Sequence, residues 1–481
     1  MSTDPTQLSA RAIALRVGAR EITARAMVTA FVERIERFNP RLNALIGFAA
    51  APALAEADSV DARLAAGETL PLAGVPFTVK DNLWVGGRRA TQGSKIFADF
   101  EAPRDAWAVA RLRALGAVVI GTTNCSEFAC KGITTNPLHG STRNPWDLQL
   151  TPGGSSGGAA AATAARFAPL ALATDAGGSV RRPAAHTGLV GLKPSQGLIP
   201  QPWGFAEPNL GISVTGVLAR DVADAQLAFE HLLGYHPGDA FSVPATLDSD
   251  LSSVRLAWSP RLGCGFAIDA DVLQAFEGVI AALRGAGQQI AQADPQWPEG
   301  THEYPLVAIQ QAGLAALFAD TLDLRRADFD PDIASQIDAG RRHSGGEIAR
   351  LMLEREAIAA ALAAFFETRD LLLCPTAPVT AWPFDQLGPA RIGGAPAGPR
   401  GHAGFTPLFN YCGVPAISLP VALVRGLPIG LQIVGPRFAD RRVLAFAAEV
   451  ERVVGHFSPP QSAIERGMLA GETGAVLADN G

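Results

Sequence analysis

Residues Thr151–Pro183 read TPGGSSGGAAAATAARFAPLALATDAGGSVRRP. Two glycine–serine turns stand out, Gly153–Gly158 and Gly177–Ser179. The first precedes an alanine-rich helix. The second follows an apolar run, Phe167–Thr174, that reads as a strand. Glycines at such junctions allow backbone conformations closed to other residues and let N–H groups converge on a ligand. The unit is therefore turn, helix, buried strand, turn, with the polar chemistry at the element ends.

The same texture continues on both sides. Continuous apolar runs at Gly74–Lys80, Val118–Thr122, Gly188–Leu192, Leu371–Cys374, Ala416–Leu419 and Ile429–Val434 alternate with helices. Such runs predict a sheet buried on both faces. The first seventy residues read helical: Val28, Phe31, Val32 and Ile35 share one face, with a stop near Asn39-Pro40. A second helix is expected over Pro52–Ala66. Asp105 is a candidate N-cap and Gly116 a candidate stop for a helix between them. Residues 222–368 read mostly helical, and a last helix runs from Asp440 to Val454. The predicted organisation is an N-terminal helical segment (1–70), one α/β domain (71–457) with a helical insertion over about 222–368, and a polar tail (458–481).

Composition excludes several classes. The 481 residues carry 40 basic and 46 acidic side chains, a net charge of −6. With 48% apolar and 18% charged residues the chain is globular rather than disordered. Mild acidity argues against a nucleic-acid partner, which would require a basic stripe. Five cysteines without CxxC or Cys/His spacing give no zinc site and no disulfide framework. The N-terminus lacks an apolar leader, and no run is long enough to span a bilayer. A cytoplasmic location without a membrane partner is expected.

Glycine-rich turns serve several known mechanisms. No lysine follows either turn as a phosphate loop requires, and the spacing does not match a dinucleotide fingerprint. A GxSxG elbow is present as Gly153–Gly157, but Asn144–Asp147 before it is turn-like. The late histidines, His402 and His456, have no supporting context. A Ser-His-Asp hydrolase would make one of them essential and Lys80 dispensable.

Three ordered blocks resemble the amidase signature family of serine hydrolases: Gly74–Asn82 (GVPFTVKDN), Pro152–Gly158 (PGGSSGG) and Thr174–Ala184 (TDAGGSVRRPA). Lys80, Ser155 and Ser179 are separated by 75 and 24 residues, as the family requires. Asn144–Asp147, Gly191–Ser195, Pro375–Pro378 and Gly426–Gly435 are further family blocks. The resemblance implies an α/β/α fold whose large mixed central β-sheet is covered by helices on both faces. It implies Ser179 as nucleophile, Ser155 as bridging serine after a cis Gly154–Ser155 bond, and Lys80 as base. The backbone N–H groups of Ala176, Gly177, Gly178 and Ser179 would form the oxyanion hole. Asp175, Arg181 and Ser156 would brace that loop. No cofactor and no metal is implied, and a homodimer is common in the family.

The chemistry is physically coherent. A serine hydroxyl needs a base, and lysine serves only when neutral. Moving a lysine pKa from about 10.4 to about 7 costs about 4.6 kcal/mol, which burial between apolar strands supplies. Alanine at 176 should be tolerated, because that position contributes only an N–H. Ala159 and Arg166 are departures from the family pattern without evident catalytic consequence. Arg182 is an extra charge that could attract an acidic substrate; a solvated side chain is the expectation.

The resemblance implies a small-molecule amide as substrate. The glutamine-hydrolysing A subunit of glutamyl-tRNA amidotransferase, which works with a partner subunit, is the alternative. It holds glutamine with an Asp before the final core strands and an Arg in the preceding helical region. Gly401–Pro407 contains no acid; Arg341 and Arg342 are the candidates for the Arg. A stand-alone amidase is therefore favoured. Trp84, Cys130, Trp203, Phe205, Phe405 and Tyr411 are the candidate pocket residues, suited to an apolar or aromatic acyl group. A catalytically silent binding subunit would show a broken triad, and all three positions are filled.

Overall fold

The computed structural model describes residues 4–244, 246–247, 249–301, 307–398, 400–455 and 465. Its strands in chain order are β1 (Leu45–Phe48), β2 (Pro76–Lys80), β3 (Val118–Thr123), β4 (Thr135–Asn136), β5 (Gly140–Ser141), β6 (Leu170–Asp175), β7 (Val190–Lys193), β8 (Val214–Ala219), β9 (Leu256–Trp258), β10 (Ile290–Gln292), β11 (Leu371–Pro375), β12 (Arg391–Ile392), β13 (Ala395–Pro396), β14 (Ala416–Val424) and β15 (Leu427–Val434). Eleven form one sheet, in the order β1-β3-β2-β6-β8-β7-β14-β15-β11-β9-β10. The sheet is mixed. β2 runs parallel to β3 and β6, whereas β8 is antiparallel to β6 and β7. Helices cover both faces, and this is the expected α/β fold. No helix among the described residues is long and apolar enough to cross a membrane.

The central strands follow from their composition. Every residue of β2, β3, β6 and β8 is buried, so the apolar runs carry no alternation. The helix Gly157–Ala164 is likewise buried throughout. Only small side chains let it lie this deep. A Cβ on Gly158 would stand 2.3 Å from the carbonyl oxygen of Asn124.

Several boundaries differ from the sequence reading. The first long helix runs through Pro40 to Leu42 and ends at Asn43, which takes a left-handed conformation. Asp105 is not an N-cap. The helix begins at Trp107 without a side-chain cap, while Asp105 accepts the Gly86 N–H and pairs with Arg113. The N-terminal segment also contributes strand β1 to the sheet edge. Residues 222–368 are not purely helical, because β9 and β10 extend the opposite edge. Three-residue strands are too short to show a period, and only their partners define them. The final helix spans Asp440–Val454. The expected polar tail, 458–481, lies outside the described residues apart from Glu465.

Gly158→Ala is expected to cost about 1–3 kcal/mol, because the new methyl has no room against backbone. The urea midpoint measures it. Gly285→Ala is the control: its Cβ would meet nothing within 4 Å, and it should gain a few tenths of a kcal/mol.

Candidate active site

The site is assembled where β2 and β6 end side by side. Lys80 is the last residue of β2 and is fully buried. Its Nζ donates to Ser155 Oγ at 2.8 Å and to Thr174 Oγ1 at 3.0 Å. Asn82 Nδ2 donates to the same Thr174 hydroxyl at 2.9 Å. Burial pushes the Lys80 ammonium down to about 8, with the Asp175 charge partly opposing. Ser155 follows a cis peptide bond at Gly154. Only glycine fits before it, since a Cβ on Gly154 would lie 2.6 Å from the Ile133 backbone. Ser156 Oγ donates to the Thr174 carbonyl at 3.3 Å.

Asp175, the last residue of β6, folds the loop that carries Ser179. Its carboxylate accepts the N–H groups of Gly178 at 2.7 Å and Val180 at 3.1 Å. Arg181 donates to it from Nη2 at 2.9 Å and Nε at 3.1 Å, and Asn410 Nδ2 from 2.9 Å. Burial alone would raise this carboxyl. The Arg181 charge and these hydrogen bonds outweigh burial and hold it well below the carboxylate range. Arg181 reaches onward to Gln432 Oε1 at 2.7 Å and the Thr406 carbonyl at 3.1 Å. Thr406 Oγ1 donates to the Gly177 carbonyl at 2.8 Å, and a Cβ on Gly178 would fall 2.1 Å from that hydroxyl.

One expected oxyanion donor is thereby corrected. The Gly178 N–H is committed to Asp175. The N–H groups of Ala176, Gly177 and Ser179 have no acceptor among the described residues. Ser155 and Ser179 both line a cavity of about 620 Å³. Ala176, Gly177 and Ser179 line a second pocket of about 50 Å³. The described hydrogen bonds run from Lys80 to Ser155 and stop there; Ser179 stands on the same cavity wall.

The expected pocket residues divide. Trp203 and Phe205 line the large cavity and Cys130 the small one. Trp84 stands behind the wall, edge-on to Phe205 at 5.7 Å between ring centroids. Phe405 and Tyr411 are buried in the core and line neither cavity. Gln432 binds the Phe405 carbonyl and Arg181 the Thr406 carbonyl, which draws this segment under the serine loop and packs the Phe405 ring on Phe266. Arg341 pairs with Asp323 and Arg342 donates to the Asp338 carbonyl; neither lines either of these two cavities. Arg182 is buried, not solvated, and lines the small pocket. His402 lines the same pocket, and His456 lies outside the described residues. Sequence reading missed Thr174, Thr406, Asn410 and Gln432. Their one signal is a polar residue inside an apolar run.

The Amidase family model matches residues 26–444. The chain belongs to the amidase signature family. This amidase signature enzyme is 35% identical to the A subunit of the glutamyl-tRNA(Gln) amidotransferase of Salinispora tropica, over 95% of this chain and 99% of that protein. The corresponding protein of Symbiobacterium thermophilum is 34% identical over 93% of this chain and 97% of its own. Among solved structures, a bacterial aryl acylamidase of the family superposes with a TM-score of 0.87 at 27% identity, covering 96% of this chain and 98% of that one. A 6-aminohexanoate cyclic dimer hydrolase with bound substrate gives 0.83 at 29% identity, covering 96% and 98%. The A subunit of the Thermotoga maritima glutamyl-tRNA(Gln) amidotransferase gives 0.77 at 27%, covering 94% and 96%.

Arg181→Met leaves Asp175 buried without its charge partner and is expected to cost about 3–5 kcal/mol. Thermal unfolding measures the loss. The deficit should narrow at acid pH, because an unpartnered buried Asp175 takes up a proton.

Proposed function

We propose that this enzyme hydrolyses the amide of a small carboxylic acid by itself, through Lys80, Ser155 and Ser179. The observation that carries the proposal is the buried Lys80–Ser155 contact of 2.8 Å, opening on a cavity that Ser179 shares. Ser179 Oγ attacks the carbonyl carbon while its proton passes through Ser155 to neutral Lys80. The oxyanion accepts from the N–H groups of Ala176, Gly177 and Ser179; one such donor is worth about 3–4 kcal/mol. Collapse breaks the C–N bond, and Lys80 returns the proton through Ser155 to the leaving amine. Water then attacks acyl-Ser179 by the same proton path in reverse, releasing the acid.

The large cavity supports an apolar or aromatic amide. Its wall includes Phe128, Ile199, Trp203 and Phe205, and its volume exceeds what glutamine fills. The absence of an acid over Gly401–Pro407 points the same way. A second reading is the glutamine-hydrolysing A subunit of an aminoacyl-tRNA amidotransferase, acting with a partner protein. The likeness to the Salinispora and Symbiobacterium proteins favours it.

The deciding experiment is ammonia or amine release by the purified chain alone on aliphatic, aromatic and amino-acid amides, glutamine included. Turnover of apolar amides without a partner is expected, reduced at least about 10³-fold in Ser179→Ala. Turnover of glutamine alone, or only with added partner subunits, would favour the second reading.

The pH profile is a further expectation. With Lys80 near 8, about a tenth of the enzyme holds a neutral amine at pH 7. Initial rates at low substrate should rise about tenfold per pH unit below that value and level off above it. A flat profile between pH 6 and 8 would remove Lys80 from the proposed role.

A further inference from the structure

Two cavities of unequal size meet at Ser179, one of about 620 Å³ and one of about 50 Å³. An apolar cavity of about 150 Å³ takes up a benzene ring, so a ring fits the first and not the second. The small pocket is also braced. Gln310 Nε2, on its wall, donates to Gln336 Oε1 at 2.6 Å, and Arg400 Nη2 donates to the same oxygen at 3.0 Å. Gln336 Nε2 donates to Asp332 Oδ2 at 2.8 Å, and Lys131 pairs with Asp330. Widening the pocket would break these contacts. Of the apolar residues that line it, Leu387 is exposed, at 38%. The two cavities also divide the reacting groups. Asn82, Ser155 and Thr174 line the large cavity and not the small pocket, whereas Gly177 lines the small pocket and not the large cavity.

We infer that the scissile bond is seated with its amine in the large cavity and its acyl arm in the small pocket, so that the substrate is an acetyl-sized amide of a bulky apolar amine. The inference rests on the amidase reading above. Proton transfer fixes the orientation. The leaving nitrogen receives its proton from Lys80 through Ser155, so it lies on the side that Ser155 faces, the large cavity. The carbonyl oxygen turns to the N–H groups of the serine loop, Gly177 among them. The carbon attacked by Ser179 Oγ has one substituent left, the acyl arm, and the small pocket is the space that remains beside Ser179. Charge agrees with this seating. Glu207 and Asp239 are the only ionisable residues that line the large cavity among the described residues, which suits an alkylamine departing as a cation. The order of events agrees as well. Once the C–N bond breaks and the protonated amine leaves, the large cavity is open to the water that attacks acyl-Ser179. That water gives its proton through Ser155 to Lys80, while the short acyl group stays in the small pocket until the ester bond breaks.

A pair of isomers tests the orientation: N-benzylacetamide against N-methylphenylacetamide. Both hold the same atoms and release an alkylamine, and they differ in which side of the bond bears the ring. N-benzylacetamide is expected to be preferred at least about tenfold in kcat/KM. Along a series of N-benzyl amides, kcat/KM should fall at least about tenfold from acetyl to butyryl. Leu387→Ala should recover part of that loss. Trp203→Ala should lower the preference for N-benzylacetamide over N-methylacetamide and leave the acyl series as it is. Equal rates on the two isomers, the reverse preference, or an acyl series that responds to Trp203→Ala and not to Leu387→Ala would overturn the orientation while leaving the amidase reading standing. If no amide is turned over, the amidase reading fails, and calorimetry on Ser179→Ala decides the orientation separately. N-benzylacetamide binding at least about tenfold tighter than its isomer, and weakened by Trp203→Ala, supports it. Equal binding of the two isomers, or binding of neither, sinks it.

Discussion

The site depends on one buried ion pair. Asp175 and Arg181 are both fully buried, six residues apart, on either side of the loop that carries Ser179. Taking two charges out of water costs several kcal/mol per ion unless their remaining donors and acceptors are met. Here they are met. The carboxylate collects N–H groups from Gly178 and Val180, and the guanidinium reaches Thr406, Asn410 and Gln432. The pair thereby ties β6, the serine loop, the helix Arg181–Thr187, the segment before β14, and β15 into one unit. The N–H groups of Ala176, Gly177 and Ser179 on the same loop have no acceptor among the described residues.

A second constraint is the burial of Lys80. An ammonium group would prefer water, and the strand end denies it water while offering two hydroxyls. Its proton affinity falls for that reason. Lys193 shows that burial alone is not a functional signature. It too is buried and shifted down, to about 7, yet it donates to the Pro194 carbonyl and lines neither cavity. The difference lies in what the amine touches.

Sequence relatives and structural neighbours emphasise different members of one family. The two curated relatives named above are amidotransferase subunits at 34–35% identity, and the aryl acylamidase superposes more closely than the Thermotoga protein. The cavity walls include the loop around Trp203 and Phe205 and side chains such as Arg182 and Arg400.

Much of this protein is written locally. The apolar runs of β2, β3, β6, β11, β14 and β15 declare themselves because a strand buried on both faces needs no polar residue. The helix Asp440–Val454 is legible because one face alone is apolar. Lys80, Ser155 and Ser179 are legible only as residues of three blocks whose order and spacing resemble the family pattern. Other features have no local signature. β9 and β10 are strands only because neighbours pair with them. Thr406 and Gln432 meet Arg181 across 225 and 251 residues. Phe405 is apolar whether it faces a cavity or the core, and the hydrogen bonds of its backbone placed it in the core. Arg182 carries the same charge in solvent as in a pocket, and the packing around the serine loop buried it beside Ser179. Composition and period are set by the residue and its near neighbours, so the chain alone determines the layers and the spacing of Lys80, Ser155 and Ser179. Which polar groups meet, and which side chains face the cavity, depends on contacts between distant segments, and only the folded sheet decides those.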